Sequence, residues 1–395
     1  RLLQNPDPAV RKKAFRTYYS LYEERINTIA ACYANNVKKN NILTSLRGYP
    51  NAMAASIESD DVPAGVYDKL IESVGDALPD LHEYVAYRRE LLGDLHMYDM
   101  YVPLVPGADL GTDYETAFRI VLEALAPLGK EYADNLMMMK RERRIDVMEN
   151  EGKRGGAYSW GAYGCGPYVL LNYSGTTHDI FTIAHELGHA MHSLYSDGAL
   201  SYNKAGYSIF VAEVASTTNE VLLLKHLLAT TRDRNVRKYL LSYYLDMFRT
   251  TFFRQSMFAE FELRMGELSA QGETLTADLL SREYRALNEA YFGPDMVSDG
   301  QIALEWSRIP HFYYNYYVFQ YATGYSAAIA LSRRILQEGE PAVKDYLEFL
   351  SGGCSKDPID LLKGAGVDMA SPQPIQSALD LFDSLLDEME TLTDF

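Results

Sequence analysis

Cysteine is scarce in this chain. There are three in 395 residues, Cys32, Cys165 and Cys354, odd in number and far apart. Such a set forms neither a disulfide framework nor a thiolate zinc site, and it suits a reducing, cytoplasmic setting. Basic residues are outnumbered, with 37 Lys and Arg against 54 Asp and Glu and a net charge of −17. That balance argues against nucleic acid and anionic membrane as partners. No apolar run is long enough to span a bilayer, and no signal-peptide pattern is visible. The glycine-rich stretch 151–178 lacks the Gly-Lys-Ser/Thr or Gly-x-Gly-x-x-Gly entry to a helix that a phosphate cradle needs. Neither Ser nor Cys sits in a nucleophile motif, and there is no internal repeat or low-complexity tract. At 47% hydrophobic residues the chain can still bury a large core, as one extended domain or two lobes.

What is present centres on residues 178–193, His-Asp-Ile-Phe-Thr-Ile-Ala-His-Glu-Leu-Gly-His-Ala-Met-His-Ser. Ile180, Phe181, Ile183, Ala184, Leu187 and Met191 give it the apolar content of a buried helix. On a helix His185 and His189 lie one turn apart and about 40° around, so both imidazoles reach one metal ion. Glu186 falls beside them, placed to hold the metal's water rather than the metal. Ala184, Gly188 and Ala190 permit close packing against a neighbour. A catalytic zinc takes three protein ligands and keeps a fourth position open. His192 shares the face of His185, but seven residues rise roughly 10 Å, too far for one ion. It reads as a packing residue or a support to the ligands. The third ligand must come from another helix.

Residues 207–228 supply that helix, a long run that is apolar except for a few positions. Glu213 stands among Val211, Ala212, Val214 and Ala215, and a carboxylate in such company is costly unless paired or metal-bound. It is the candidate third ligand. Glu220, two turns along on the same face, is placed to accept from the outer nitrogen of a ligand histidine and fix its tautomer.

Elsewhere the periodicity is mostly helical. Residues 1–48 read as one long helix with Val10, Ala14, Tyr18, Leu21 and Tyr22 on a common face. Further helices are expected from about 66 to 78, and over 80–93, 112–149, 235–270, 274–292, 325–338, 341–351 and 375–391. Met137, Met138 and Met139 read as core filling. Residues 151–178 read as loop and short strand. Near the other end, Pro310 fits the first position of a helix whose early turns hold His311 and a run of tyrosines. Neutral donors of this kind suit a developing oxyanion better than a core does.

Several stretches carry a resemblance. Ala-His-Glu-Leu-Gly-His-Ala-Met-His-Ser (184–193) is followed by Phe-Val-Ala-Glu-Val-Ala-Ser (210–216), and Gly-Ala-Tyr-Ser-Trp-Gly (156–161) and Pro-Tyr-Val-Leu-Leu-Asn-Tyr (167–173) precede them. Arg-Ile-Pro-His-Phe-Tyr-Tyr-Asn (308–315), Tyr-Ala-Thr-Gly (321–324) and Gly-Ala-Gly-Val-Asp-Met (364–369) complete the set. Together they resemble the oligoendopeptidase F branch of the thimet oligopeptidase family of zinc metallopeptidases, across essentially the whole chain. Members of that branch extend further at the N-terminus, whereas this sequence opens on Arg1 in mid-pattern.

The resemblance implies a mainly α fold, a zincin-like core with a small β-sheet beside the zinc helix, and helical walls forming a deep substrate channel. On this expectation residues 1–150 are a helical wall region and 151–395 the zinc-binding catalytic region. The strand that pairs with an extended peptide is placed at Pro167–Tyr173. The implied activity is hydrolysis of short unstructured peptides with one zinc ion held by His185, His189 and Glu213. Glu186 would act as general base, and Glu220 would support His185 or His189. By carry-over from the family, His311, Tyr314 and Tyr317 would stabilise the oxyanion. The competing expectation is a truncated, non-catalytic peptide- or metal-binding fragment, or one completed by a separate N-terminal segment.

Overall fold

The computed structural model describes residues 2–105 and 110–392. It is built from helices, with one three-stranded sheet. Where one N-terminal helix was expected there are two, Pro8–Glu23 and Ile26–Leu46. No Pro or Gly marks the break at Glu24–Arg25; it lets the first helix pack on Gly300–Arg308 and the second on Arg254–Ala270. The expected inner face of the first helix is also corrected. Tyr18 and Leu21 are exposed, and the buried side carries Arg11, Phe15 and Tyr19. Arg11 turns inward because it forms an ion pair with Asp99 at 2.7 Å, a tertiary contact that helical periodicity does not encode.

Short helices Ala52–Ile57, Ala64–Asp76 and Leu78–Leu92 follow. Asn51 caps the first of them through Ala54 N–H. The expected helix 112–149 is divided into Tyr114–Ala124 and Lys130–Arg141. Pro127 and Gly129, the latter at φ 90°, force a turn between them. Of the three consecutive methionines only Met139 is fully buried, and Met137 is exposed.

Three strands come next, β1 (Ile145–Asp146), β2 (Tyr158–Ala162) and β3 (Gly166–Leu170), in the order β1-β3-β2. β1 runs parallel to β3, and β2 antiparallel. The expected peptide-pairing strand at 167–173 is therefore the central one, and the free edge belongs to β2. Pro167 determines how that edge is presented. It has no N–H, so its pair with Gly161 cannot be a hydrogen-bonded one. By alternation Ser159 opposite Val169 is likewise unbonded to β3, and Val169 N–H donates instead to the Arg144 carbonyl at 2.8 Å. The N–H and C=O groups of Ser159 and Gly161 thus point away from the sheet. Trp160, between them, is 76% exposed.

The two central helices are Thr177–Ala199, carrying His185, and Ile209–Thr230, carrying Glu213. Thr176 opens the first with a capping box to Asp179. The second is apolar nearly all round, and it packs between the His185 helix and a later one, Phe319–Glu338. Helices Arg234–Met247 and Arg254–Ala270 are joined through a π-helical stretch, Phe248–Phe253. Ala277–Phe292, Glu340–Leu350, Pro358–Gly364 and Gln373–Leu392 complete the helices.

Candidate metal centre

The His185 and Glu213 helices touch backbone to backbone. A Cβ on Gly188 would come within 2.5 Å of Ser216 Cα and 2.7 Å of the Ala215 carbonyl oxygen. Asn219 fastens the pair from within: its Nδ2 donates to the Ala184 carbonyl at 3.0 Å, and its Oδ1 accepts from the Tyr132 hydroxyl at 3.0 Å. Gly188→Ala is expected to destabilise the protein by about 1–3 kcal/mol through overpacking. It should also weaken metal binding, because Glu213 retreats with its helix. Thermal melting and metal titration of the variant check both.

At this contact the side chains of His185, His189 and Glu213 converge. His185 Nε2 and His189 Nε2 lie 3.2 Å apart, and Glu213 Oε2 is 3.5 Å from the first and 3.6 Å from the second. Zinc bonds of about 2.0–2.1 Å in tetrahedral array place ligand atoms about 3.3–3.4 Å from one another, so these three atoms have the spacing of three tetrahedral corners. Among the described residues no other group of His, Cys, Asp or Glu converges in this way. Ser216 Oγ donates to Glu213 Oε2 at 3.1 Å and orients it. Glu220 Oε1 lies 3.2 Å from His185 Nδ1, which leaves Nε2 facing the cluster. His192 stands apart, buried and stacked on Tyr207 with ring centroids 3.7 Å apart.

The electrostatics ask for a cation. Burial disfavours a charged His185, but Glu220, Glu213 and Glu186 outweigh it, and its pKa is pushed up to about 9. His189 goes the other way, down to about 4, through burial and the neighbouring His185. Three carboxylates around two imidazoles favour positive charge at their centre, which a divalent ion supplies.

Glu186 is buried, and its Oε2 has no hydrogen-bond partner among the described residues. Burial raises its pKa, with Glu213 and Glu220 adding to the rise, while His185 and the Ser159 backbone N–H oppose it. It lines a cleft of about 1330 Å³ together with His185, His189, Glu213 and the edge strand from Tyr158 to Ala162. A second cavity of about 770 Å³ also touches His185 and Glu213, with Glu220, Tyr321 and Tyr325 in its wall.

His311, Tyr314 and Tyr317 form an aromatic group of their own. They pack on one another, with the His311 ring 5.7 Å from that of Tyr314 and 6.0 Å from that of Tyr317. None of the three lines either cavity beside the cluster. The helix expected from Pro310 is a short 3₁₀ turn, Pro310–Tyr314, and the next helix begins at Phe319. Tyr321, which sequence reasoning passed over, bridges the two groups. Its ring lies 5.4 Å from that of Tyr317, and it lines the second cavity with His185 and Glu213. Burial and then its hydrogen bond with Tyr317 raise its hydroxyl pKa, with Glu213 contributing. Its place at the head of the Tyr-Ala-Thr-Gly stretch (321–324) was the available signal.

Residues 1–381 match peptidase family M3. The chain is 50% identical over 392 residues to oligopeptidase PepF of Bacillus subtilis, covering 99% of this chain and 58% of that protein. It is 42% identical over 395 residues to an oligoendopeptidase F homolog of Lactococcus lactis subsp. lactis, covering 100% of this chain and 66% of that protein. The crystal structure of oligoendopeptidase-F from Enterococcus faecium superposes with a TM-score of 0.81 at 39% identity, over 99% of this chain and 64% of that one. The chain thus spans less than two thirds of the length of each of these relatives.

Proposed function

The chain belongs to peptidase family M3, and from that membership and the converging His185, His189 and Glu213 we propose a zinc-dependent endopeptidase acting on short, unstructured peptides. The observation that carries this reading is the tetrahedral spacing of three donor atoms beside an unpartnered Glu186 oxygen. His185, His189 and Glu213 would hold one zinc ion, with Glu220 fixing the His185 tautomer. Bound there, zinc would act as a Lewis acid and lower the pKa of a water in the cleft toward neutrality.

The remaining work falls to the chain's own groups. An extended peptide would pair with the outward C=O of Ser159 and the N–H and C=O of Gly161, which bind backbone without demanding a side-chain sequence. Glu186 would take the proton of the attacking water on Oε2 and pass it to the leaving amine. His311, Tyr314 and Tyr317 would provide neutral donors for the oxyanion, with Tyr321 the member of that aromatic chain at the cavity wall. Residues 151–395 would form the catalytic region. Residues 1–150 would form a wall, since Ser59, Asp60 and Asp61 line the cleft. The three free, exposed cysteines fit a cytoplasmic setting.

A fluorogenic peptide assay tests the reading. Cleavage should disappear on chelation and return with one equivalent of zinc. Chelator-insensitive cleavage would reject the metal mechanism, and peptide binding without cleavage by zinc-loaded protein would favour a binding fragment.

A further inference from the structure

The turn that joins His311 to Tyr317 is held in a conformation that side chains rarely adopt. Asn315 (φ 56°, ψ 89°) and Tyr316 (φ 57°) both lie in the left-handed region. For residues other than glycine such backbone is strained and persists only where neighbours over-determine it. Here three separate helices do so. Asn40, from Ile26–Leu46, donates to Asn315 Oδ1 at 2.8 Å. Ser56, from Ala52–Ile57, donates to the Asn315 carbonyl at 2.5 Å. Glu262, from Arg254–Ala270, accepts the Tyr316 N–H on Oε1 at 3.0 Å.

Glu262 is the costly member of this set. It is 4% exposed, forms no ion pair among the described residues, and leaves Oε2 without a hydrogen-bond partner there. Burial pushes its pKa up to about 8, the Tyr316 N–H working against the rise. An apolar residue would serve the core better. What the carboxyl does that an apolar residue cannot is hold one peptide N–H of a strained turn.

We propose that Glu262 is a positioning residue for peptide hydrolysis, fixing the Tyr316 peptide and through it the placement of His311 and Tyr317 on either side of the turn. This rests on the reading of His311 and Tyr317 as oxyanion donors. Glu262 touches neither substrate nor metal. It acts because a rigid helix clamps the backbone between the two donors, and misplacing a donor by about 1 Å can cost on the order of 100-fold in rate.

The test compares variants of the zinc-loaded protein on a fluorogenic peptide. Glu262→Ala should lower kcat by about 10-fold or more with KM within about 2-fold, at unchanged zinc content. Glu262→Gln keeps an acceptor for the Tyr316 N–H and should recover most of the loss. Because the clamp works through Tyr317, Glu262→Ala and Tyr317→Phe should combine to less than the product of their separate effects. If Glu262→Ala fails to fold, Ser56→Ala removes a different strut of the same turn. It should lower kcat in the same direction, again less than multiplicatively with Tyr317→Phe. Wild-type kcat in folded Glu262→Ala, or equal loss in the Gln and Ala variants, overturns the proposal while leaving the donor reading standing. Wild-type kcat in both His311→Ala and Tyr317→Phe overturns the donor reading, and the proposal with it.

Discussion

Replacing Glu186 by Gln should leave zinc bound and remove nearly all turnover, a fall in kcat on the order of 10²–10⁴. The change is isosteric and lies outside the three converging donor atoms, so the ligand set is intact and zinc should stay bound. What is lost is the buried carboxylate oxygen in the cleft that has no hydrogen-bond partner among the described residues, Oε2. The same carboxylate sets the acid limb of the pH profile. Burial holds its pKa above the ordinary carboxylate value. A base works only when deprotonated, so activity should fall as pH drops and Glu186 takes up its proton. Zinc-loaded Glu186→Gln protein cleaving at the wild-type rate would remove Glu186 from the mechanism.

Glu213→Ala should abolish turnover by a different route, through loss of the metal. Two imidazoles remain, but a site built for three protein ligands loses the one that joins the second helix, and zinc should no longer co-purify at one equivalent. Metal analysis after dialysis gives the first readout. The second separates ligand loss from misfolding. Glu213 adds negative charge beside Glu186 and sits at 3.5–3.6 Å from two partly buried rings. With chelator present, deleting it relieves repulsion with Glu186 but also removes a carboxylate that supports a charged His185, so the variant should melt below chelator-treated wild type yet still in one cooperative transition. A variant that retains tight zinc and full activity would mean that Glu213 is not a ligand.

The pairing of the His185 and Glu213 helices was legible because it is written locally. A four-residue step, small residues at Ala184 and Gly188, and a lone carboxylate in an apolar run all follow from helix geometry. The mainly α architecture and the short strands within 151–178 were legible in the same way, whereas a sheet beside the His185 helix was implied by the family resemblance. What escaped was set by contacts distant in sequence. Arg11 turned the first helix over to meet Asp99, and Asn40, Ser56 and Glu262 forced two residues of the tyrosine segment into left-handed backbone. The edge strand was misplaced by one position in the sheet. Its true location depends on β1, whose two residues carry too short a pattern to read.

The chain contains two tryptophans, and the fold has sorted them into opposite surroundings. Trp306 is 2% exposed and its indole donates to Ser281 Oγ, whereas Trp160 projects from the open edge of β2 at 76% exposure. The protein therefore carries its own optical gauge. A peptide laid along that edge strips water from one indole and shifts its emission to the blue, while the other stays constant as an internal reference. Occupancy of the cleft can be followed without any dye, including in variants that no longer turn over.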